Sequence, residues 1–261
     1  MAKVLSLDDK SYTDMELPEI FNQKVDPSFL KRAFLAEESN KFQLKYTDPL
    51  AGKRKAAELT KRRHAYKTTY GHQHDRTPRK TLSHIGASFS FVGAVAPQTV
   101  GGREAHPPKP ERVLVKKLNK KERVLAIRMG IAASASKDAV SKFHDVGDIS
   151  TLPLIIDDSI NKISKTKEAV EAVGKMGLSE ELSRIMKRRI RAGRGKMRGR
   201  RYKKKLGPIL VTTDTATVRR ALSNINFTIK KPGELTISDV THAGMPGRLV
   251  IWTKSAVASL K

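Results

Sequence analysis

Between Met186 and Lys205 the chain reads MKRRIRAGRGKMRGRRYKKK, twelve Lys or Arg in twenty residues with three glycines, one tyrosine and no acid. Like charges at this density repel one another and cannot be buried as a core. Such a stretch becomes compact only beside a polyanion that neutralises it. Gly193, Gly195 and Gly199 let the backbone pass close to a charged surface without a Cβ in the way. The arginines offer planar forks that match phosphate oxygens two at a time, which lysine cannot do. The candidate phosphate ligands are Arg188, Arg189, Arg191, Arg194, Lys196, Arg198, Arg200, Arg201, Lys203, Lys204 and Lys205, with Tyr202 as a stacking residue. The pattern points to nucleic acid.

The imbalance extends beyond this stretch. The 261 residues carry 52 Lys and Arg against 26 Asp and Glu, a net charge of +26. Residues 53–112 hold thirteen of the cations against four acids, so the two stretches account for most of the excess. Localised charge of this kind is an electrostatic footprint rather than a solubilising coat. In the second stretch the candidate binding residues are Lys53, Arg54, Arg62, Arg63, Lys67, Arg76, Arg79, Lys80, Arg103 and Lys109, with His64, Tyr66, Tyr70, His72 and His106. The remainder amounts to about one ordinary domain. Cysteine is absent, which excludes a disulfide framework and any Cys-ligated zinc. The first residues, MAKVLSLDDKSYTDMELPEIF, contain no apolar signal segment, and no run approaches the roughly 18 apolar residues of a membrane span. No membrane partner is expected.

Residues 1–30 read as a strand or hairpin followed by a turn. A helix is expected from Asp26-Pro27 to about Leu44, with Ser28 as its cap and Phe29, Leu30, Ala33, Phe34 and Phe42 as its apolar face. From Gly52 to about Arg112 no period lasts, and Gly, Pro, His, Ser and Thr dominate. A stretch this long without packed elements is foreign to a compact domain, so disorder or an arm that folds on a partner is expected. Helix returns at 119–136, capped by Asn119 with a stripe of Val124, Ile127 and Ile131, and again at 165–175, ending near Gly177. Leu152–Ile156, Pro208–Asp214, residues 225–229 and Leu249–Thr253 read as strands, with a helix near 215–223 and a last helix capped by Ser255. Apolar runs alternating with amphipathic helices predict an α/β fold: one globular domain on a mainly parallel sheet with flanking helices.

Three constellations invite a catalytic or cofactor reading. Gly193-x-Gly195-x-x-x-Gly199 has the wrong spacing for a dinucleotide loop, follows no apolar strand, and lacks the Gly-Lys-Ser/Thr of a phosphate loop. His72-Gln73-His74-Asp75 offers metal-ligand types but no second cluster completes the set. Histidines in a basic segment more often stack on bases or meet phosphate. Asp157, Asp158 and Asp214 end two strands where ligands bind in open α/β sheets. Strand termination and helix capping explain them as well, and no nucleophile and base can be paired. Neither a cofactor, a metal nor an enzymatic activity is expected. An RNA-processing enzyme and a DNA-compacting protein are the alternatives.

The residues Arg191-Ala192-Gly193-Arg194-Gly195-Lys196-Met197-Arg198-Gly199-Arg200-Arg201-Tyr202, followed by Ile209-Leu210-Val211-Thr212, resemble the hallmark of the family of the fourth protein of the large ribosomal subunit. Gly102–Lys109, Gly244–Leu249 and the helix containing Lys121-Glu122-Arg123 agree with it. The resemblance is to the archaeal and eukaryotic branch, and the lack of a long C-terminal extension looks archaeal. It implies a structural constituent of the large subunit that binds ribosomal RNA, supports assembly in the cytoplasm and neighbours other ribosomal proteins, without homo-oligomers. It further implies a globular domain from residues 1–45 and 113–261 and an extended RNA-threading arm at 46–112. The arm's tip, within Tyr66–Val100, would reach the wall of the peptide exit tunnel, near the nascent peptide. GHQHDRTPRK and IGASFSFVG depart most from the family pattern.

Overall fold

Leu154–Ile156, Ile209–Val211 and Val250–Thr253 are buried at every position, as strands covered on both faces must be. In the computed structural model, which describes residues 2–7, 11–71, 73–147, 149 and 151–260, the chain divides into two compact units, residues 1–41 with 115–261 and residues 42–114. The elements begin with strands β1 (Ala2–Leu5) and β2 (Tyr12–Met15), helix α1 (Pro27–Ser39), and strands β3 (Arg79–Ile85) and β4 (Ser88–Gly93). Helices α2 (Lys120–Ser134) and α3 (Lys137–Val140), strand β5 (Leu154–Ile156) and helices α4 (Thr166–Lys175) and α5 (Ser179–Met186) come next. The short strands β6 (Arg189–Ile190) and β7 (Tyr202–Lys203) follow, then β8 (Ile209–Val211), α6 (Val218–Leu222) and β9 (Thr228–Lys230). Helix α7 (Ile237–Val240), strand β10 (Val250–Thr253) and helix α8 (Lys254–Ala258) close the order.

The first unit is built on one six-stranded sheet in the order β2-β1-β5-β10-β8-β9. Every pair is parallel except β1 with β2 at the edge. The expected α/β architecture is therefore present. Strand alternation divides the core in two. Leu5, Ile156, Leu210, Ile229 and Ile251 face α4 and α6 through Ala169, Val173, Val218 and Leu222. Val4, Ile155, Ile209, Val211, Val250 and Trp252 point to the other face, against Phe21, Ile131, Val240, Ala256 and Val257. The ring of Phe21 meets Trp252 edge-on at 5.7 Å.

Local chemistry corrects several expected boundaries. Helix α1 is capped by Asp26, whose carboxylate accepts from the amides of Ser28 and Phe29, and not by Ser28. It ends at Ser39, where the serine hydroxyl donates to the Ala36 carbonyl and accepts from the Lys116 amide, so Phe42 lies outside it and is exposed. In α2, Asn119 is the cap and Glu122 reaches back to its amide at 3.4 Å, but the buried face is Ala126, Gly130, Ile131 and Ala133, while Val124 is exposed. Thr253 caps α8, whereas Ser255 donates to Asp158 at 2.6 Å. Helix α5 has no counterpart in the expected order. The second unit, by itself, holds the antiparallel pair β3–β4 with an irregularity between Thr81 and Ser83, in the region where no packed element was expected.

Gly247 marks a close backbone approach just before β10. Its φ is +115°, and a Cβ there would lie 2.1 Å from the Ala139 carbonyl oxygen. Replacing Gly247 by Ala should destabilise the protein by about 3 kcal/mol or more, since backbone strain and overpacking act together. Chemical denaturation followed by the fluorescence of Trp252, the sole tryptophan, checks this.

Candidate nucleic-acid interface

Helix α5 delivers the chain to the basic stretch, and its inner face carries an acid. Leu178, Glu181 and Ile185 fall on the side turned to the core, and Glu181 is fully buried. Its Oε1 accepts from His144 Nδ1 at 2.7 Å and from Arg184 Nη2 at 2.7 Å. Its Oε2 accepts from Arg184 Nε at 2.6 Å and from the Asp145 amide at 2.9 Å. Burial by itself would raise this carboxyl, but the hydrogen bonds from Arg184, His144 and the Asp145 amide outweigh it and hold the pKa at about 2.

The same Arg184 Nη2 also donates to the Leu206 carbonyl at 2.8 Å. A residue in the last turn of α5 thus grips the chain where it returns from the basic stretch. One residue further on, the Gly207 carbonyl accepts from the buried Arg248 through Nε at 3.4 Å and Nη2 at 3.3 Å. Arg248 donates in addition to the carbonyls of Ser238 and Asp239 and to the Thr228 hydroxyl. Burial pulls its guanidinium down to about 10, so it is still charged at neutral pH, and carbonyl dipoles carry that charge. The Gly244–Leu249 motif therefore has a structural role, since it inserts Arg248 under the exit of the ribbon.

Between these anchors the basic stretch forms a two-stranded ribbon. Strands β6 and β7 pair antiparallel, Arg189 with Lys203 and Ile190 with Tyr202, and a helical turn over Arg194–Met197 closes the loop. Gly193 and Gly199 have φ of +75° and +77°, the left-handed backbone that reverses the chain. Their role is thus conformational as well as steric. Arg188, Arg189, Arg194, Lys196, Arg198, Arg200, Arg201, Tyr202, Lys203 and Lys204 are exposed, and Arg191 and Lys205 are half-buried. Arg191 braces the ribbon, its Nε donating to the Arg200 carbonyl at 3.1 Å. The Arg201 guanidinium lies over the Tyr202 ring at 5.7 Å. Among the described residues no cation of the ribbon makes an ion pair.

In the second unit, Lys53, Arg62, His64, Tyr66, Tyr70, Arg76, His106 and Lys109 are exposed, and Lys67, Lys80 and Arg103 are half-buried. Others have internal partners. Arg54 pairs with Asp48 at 2.6 Å, Arg63 lies over the Tyr70 ring at 5.8 Å, and Arg79 donates to the His74 carbonyl at 3.3 Å. His72 lies outside the described residues. One ligand of the His72-Gln73-His74-Asp75 reading is outside them with it, and no cluster of three metal-ligating side chains occurs among the described residues.

Two of the three strand-end aspartates are engaged with backbone and hydroxyl groups, while Asp157 makes no side-chain hydrogen bond among the described residues. Asp158 accepts from the Ser255 amide and hydroxyl, and Asp214 accepts from the Ala216 amide at 3.2 Å. No described helix is long and apolar enough to cross a membrane. Residues that sequence reasoning missed are His144, Glu181, Arg184 and Arg248. Glu181 left a signal, a lone acid in the apolar stripe of Leu178, Leu182 and Ile185. Arg248 left one too, standing directly before the apolar run Leu249–Trp252.

An α/β domain that displays an unpaired cationic ribbon on a buried, hydrogen-bonded base belongs to the class of proteins built to meet a polyanion. The chain matches the Ribosomal protein L4/L1 family over residues 15–261 and belongs to that family. It is 38% identical over 250 residues to the large ribosomal subunit protein uL4 of Nanoarchaeum equitans, covering 95% of this chain and 92% of that protein. It is 35% identical over 262 residues to uL4 of Methanocaldococcus jannaschii, covering 100% of this chain and 98% of that one. To uL4 of Sulfurisphaera tokodaii it is 37% identical over 261 residues, covering 99% and 92%. The archaeal side of the family is the one these relatives represent.

The Glu181 carboxyl sits at about 2 in the folded chain against 4.5 in an ordinary setting. Its contribution is complete above the ordinary value and is lost as pH falls from about 4.5 toward 2. Glu181→Gln should therefore cost about 3 kcal/mol at pH 7, and the gap to the parent should narrow at pH 3. Denaturation midpoints of both proteins at the two pH values measure it.

Proposed function

We infer that this chain is a structural constituent of the large ribosomal subunit, not an enzyme, and that it binds large-subunit ribosomal RNA in the cytoplasmic ribosome beside other ribosomal proteins. The observation that carries the reading is a match along nearly the whole chain to relatives named for that subunit. The unpaired cations of the ribbon supply a physical basis. RNA phosphates would take the place of counterions along Arg188–Lys205, and release of those counterions would drive binding. Arg191 and the two anchoring arginines would keep the ribbon's backbone in place, so that little conformational entropy is lost on binding.

The segment 46–112 is read as the second RNA-facing surface, an arm that threads into the RNA with its tip near the exit tunnel and the nascent peptide. Its cations and its Gly- and Pro-rich loops support that assignment, as does its departure from the nearly neutral composition of the sheet domain outside the ribbon. The chain is taken to act as a single copy, with no cofactor and no metal.

If about ten phosphates are engaged, log affinity of the full chain for large-subunit RNA should fall against log salt with a slope of roughly −7 to −9. Changing Arg194, Arg198, Arg200 and Arg201 together to Gln should reduce that slope by about 3 in magnitude. Filter binding across a salt series reads both, and an almost salt-independent affinity would overturn the inference.

Limited proteolysis addresses the arm. Cleavage between Lys53 and Arg112 is expected in the free protein, with protection in the assembled large subunit. Equal resistance in the two states would count against an RNA-threading arm.

A further inference from the structure

We propose that the second unit contains a pocket for a single unpaired nucleobase, formed by Tyr66, His74, Phe89 and Phe91 with Lys67 at its rim. The inference rests on the RNA-binding reading above and assigns a specific site within it. The pairing of β3 with β4 sets His84 opposite Phe89 and Thr81 opposite Phe91, so one face of the hairpin collects the aromatic rings. His84 and Phe89 are nearly parallel, 5.6 Å between centroids at 19°, and Phe89 and Phe91 continue the row at 5.9 Å and 23°. Tyr66 meets Phe89 edge-on at 5.2 Å, and His74 meets Phe91 at 6.3 Å and 66°. Between residues 65–68, His74 and residues 87–91 the packing leaves a cavity of about 280 Å³.

Packing alone accounts poorly for this cluster. An aromatic row that served only to hold a hairpin would be shielded from water, yet Phe89 and Phe91 are only half-buried, Tyr66 beside them is 77% exposed, and their rings line a cavity. What surrounds it selects the occupant. Lys67 lines the cavity, and in the chain Lys61, Arg62 and Arg63 precede Tyr66 with no acid from Leu59 to His74. An aromatic cleft inside a cationic rim fits a polyanion that carries flat π faces. In a duplex those faces are hidden in the stack, so the ligand must be an unpaired base, stacked on Phe or Tyr with its phosphate near Lys67.

Two measurements test it. Base-on-aromatic stacking contributes a roughly 5- to 150-fold change in affinity per base. Full-length Phe91→Leu, which retains apolar bulk but loses the ring, should bind large-subunit RNA more weakly by that factor with an unchanged salt slope. A parent that binds with the expected slope and a variant that binds equally well would overturn the pocket and leave the RNA-binding reading standing. No salt-dependent binding by the parent would instead overturn the RNA-binding reading.

Because Phe91→Leu could loosen the hairpin, a second variant uses the exposed position. Tyr66→p-benzoylphenylalanine, assembled into large subunits and irradiated, should crosslink to one unpaired nucleotide of the RNA. Crosslinking to a nascent peptide or a neighbouring protein, to paired nucleotides, or to nothing, would overturn the proposal.

Discussion

The cationic ribbon depends on a buried charge cluster at its base. Twelve like charges on twenty residues would push a free loop apart. Here the outgoing chain is held by Glu181 and Arg184 on α5, and the returning chain is caught by Arg184 at Leu206 and by Arg248 at Gly207. A buried ion pair contributes little net stability compared with apolar side chains of similar volume, because desolvation offsets most of the attraction. Its value in this molecule is geometric. Each donor has a fixed acceptor, so the two ends of the ribbon meet in one register, and the cations between them stay on the surface. Removing one member would strand the others without partners, which makes the cluster costly to alter although it adds little when intact.

The two units bring different chemistry to the same class of partner. The ribbon is nearly all guanidinium and ammonium with a single aromatic, Tyr202, and such a surface reads charge along a backbone. The second unit spreads its cations at lower density and adds a row of stacked rings, a combination suited to bases as well as phosphates. Outside the ribbon the sheet domain is almost neutral. Of its strand-end aspartates, positioned where many α/β proteins bind substrates, Asp158 accepts from Ser255 and Asp214 from the Ala216 amide, while Asp157 makes no side-chain hydrogen bond among the described residues.

Much of the sheet domain is legible in the linear chain. Runs such as Ile209-Leu210-Val211 have only one way to be buried on both faces, and Asp26-Pro27 and Asn119 mark helix starts by side-chain chemistry that acts within four residues. Legibility fails where a distant partner decides. Val124 fits a helical stripe as well as Ala126 does, but the small side chains of α2 are the ones that let it approach α7, so Val124 faces water. Phe42 continues the spacing of α1, yet Ser39 ends the helix by bonding to Lys116, 77 residues away. The hairpin of the second unit escapes notice because its ring face rests on Phe89 and Phe91, both only half-buried, and because the irregularity at Thr81–Ser83 breaks the alternation.

Composition and spacing were sufficient for the class of partner and the parallel α/β core, because charge density, apolar runs and turn residues are properties of neighbouring positions, while the family came from the resemblance of its motifs. Folding alone could show that the ribbon has a base, that Arg248 is the buried residue beneath it, and that Tyr66, Phe89 and Phe91 come together around a cavity. Those outcomes depend on residues far apart in the chain, such as Glu181 and His144, whose desolvation and hydrogen bonding exist only once the core has closed around them.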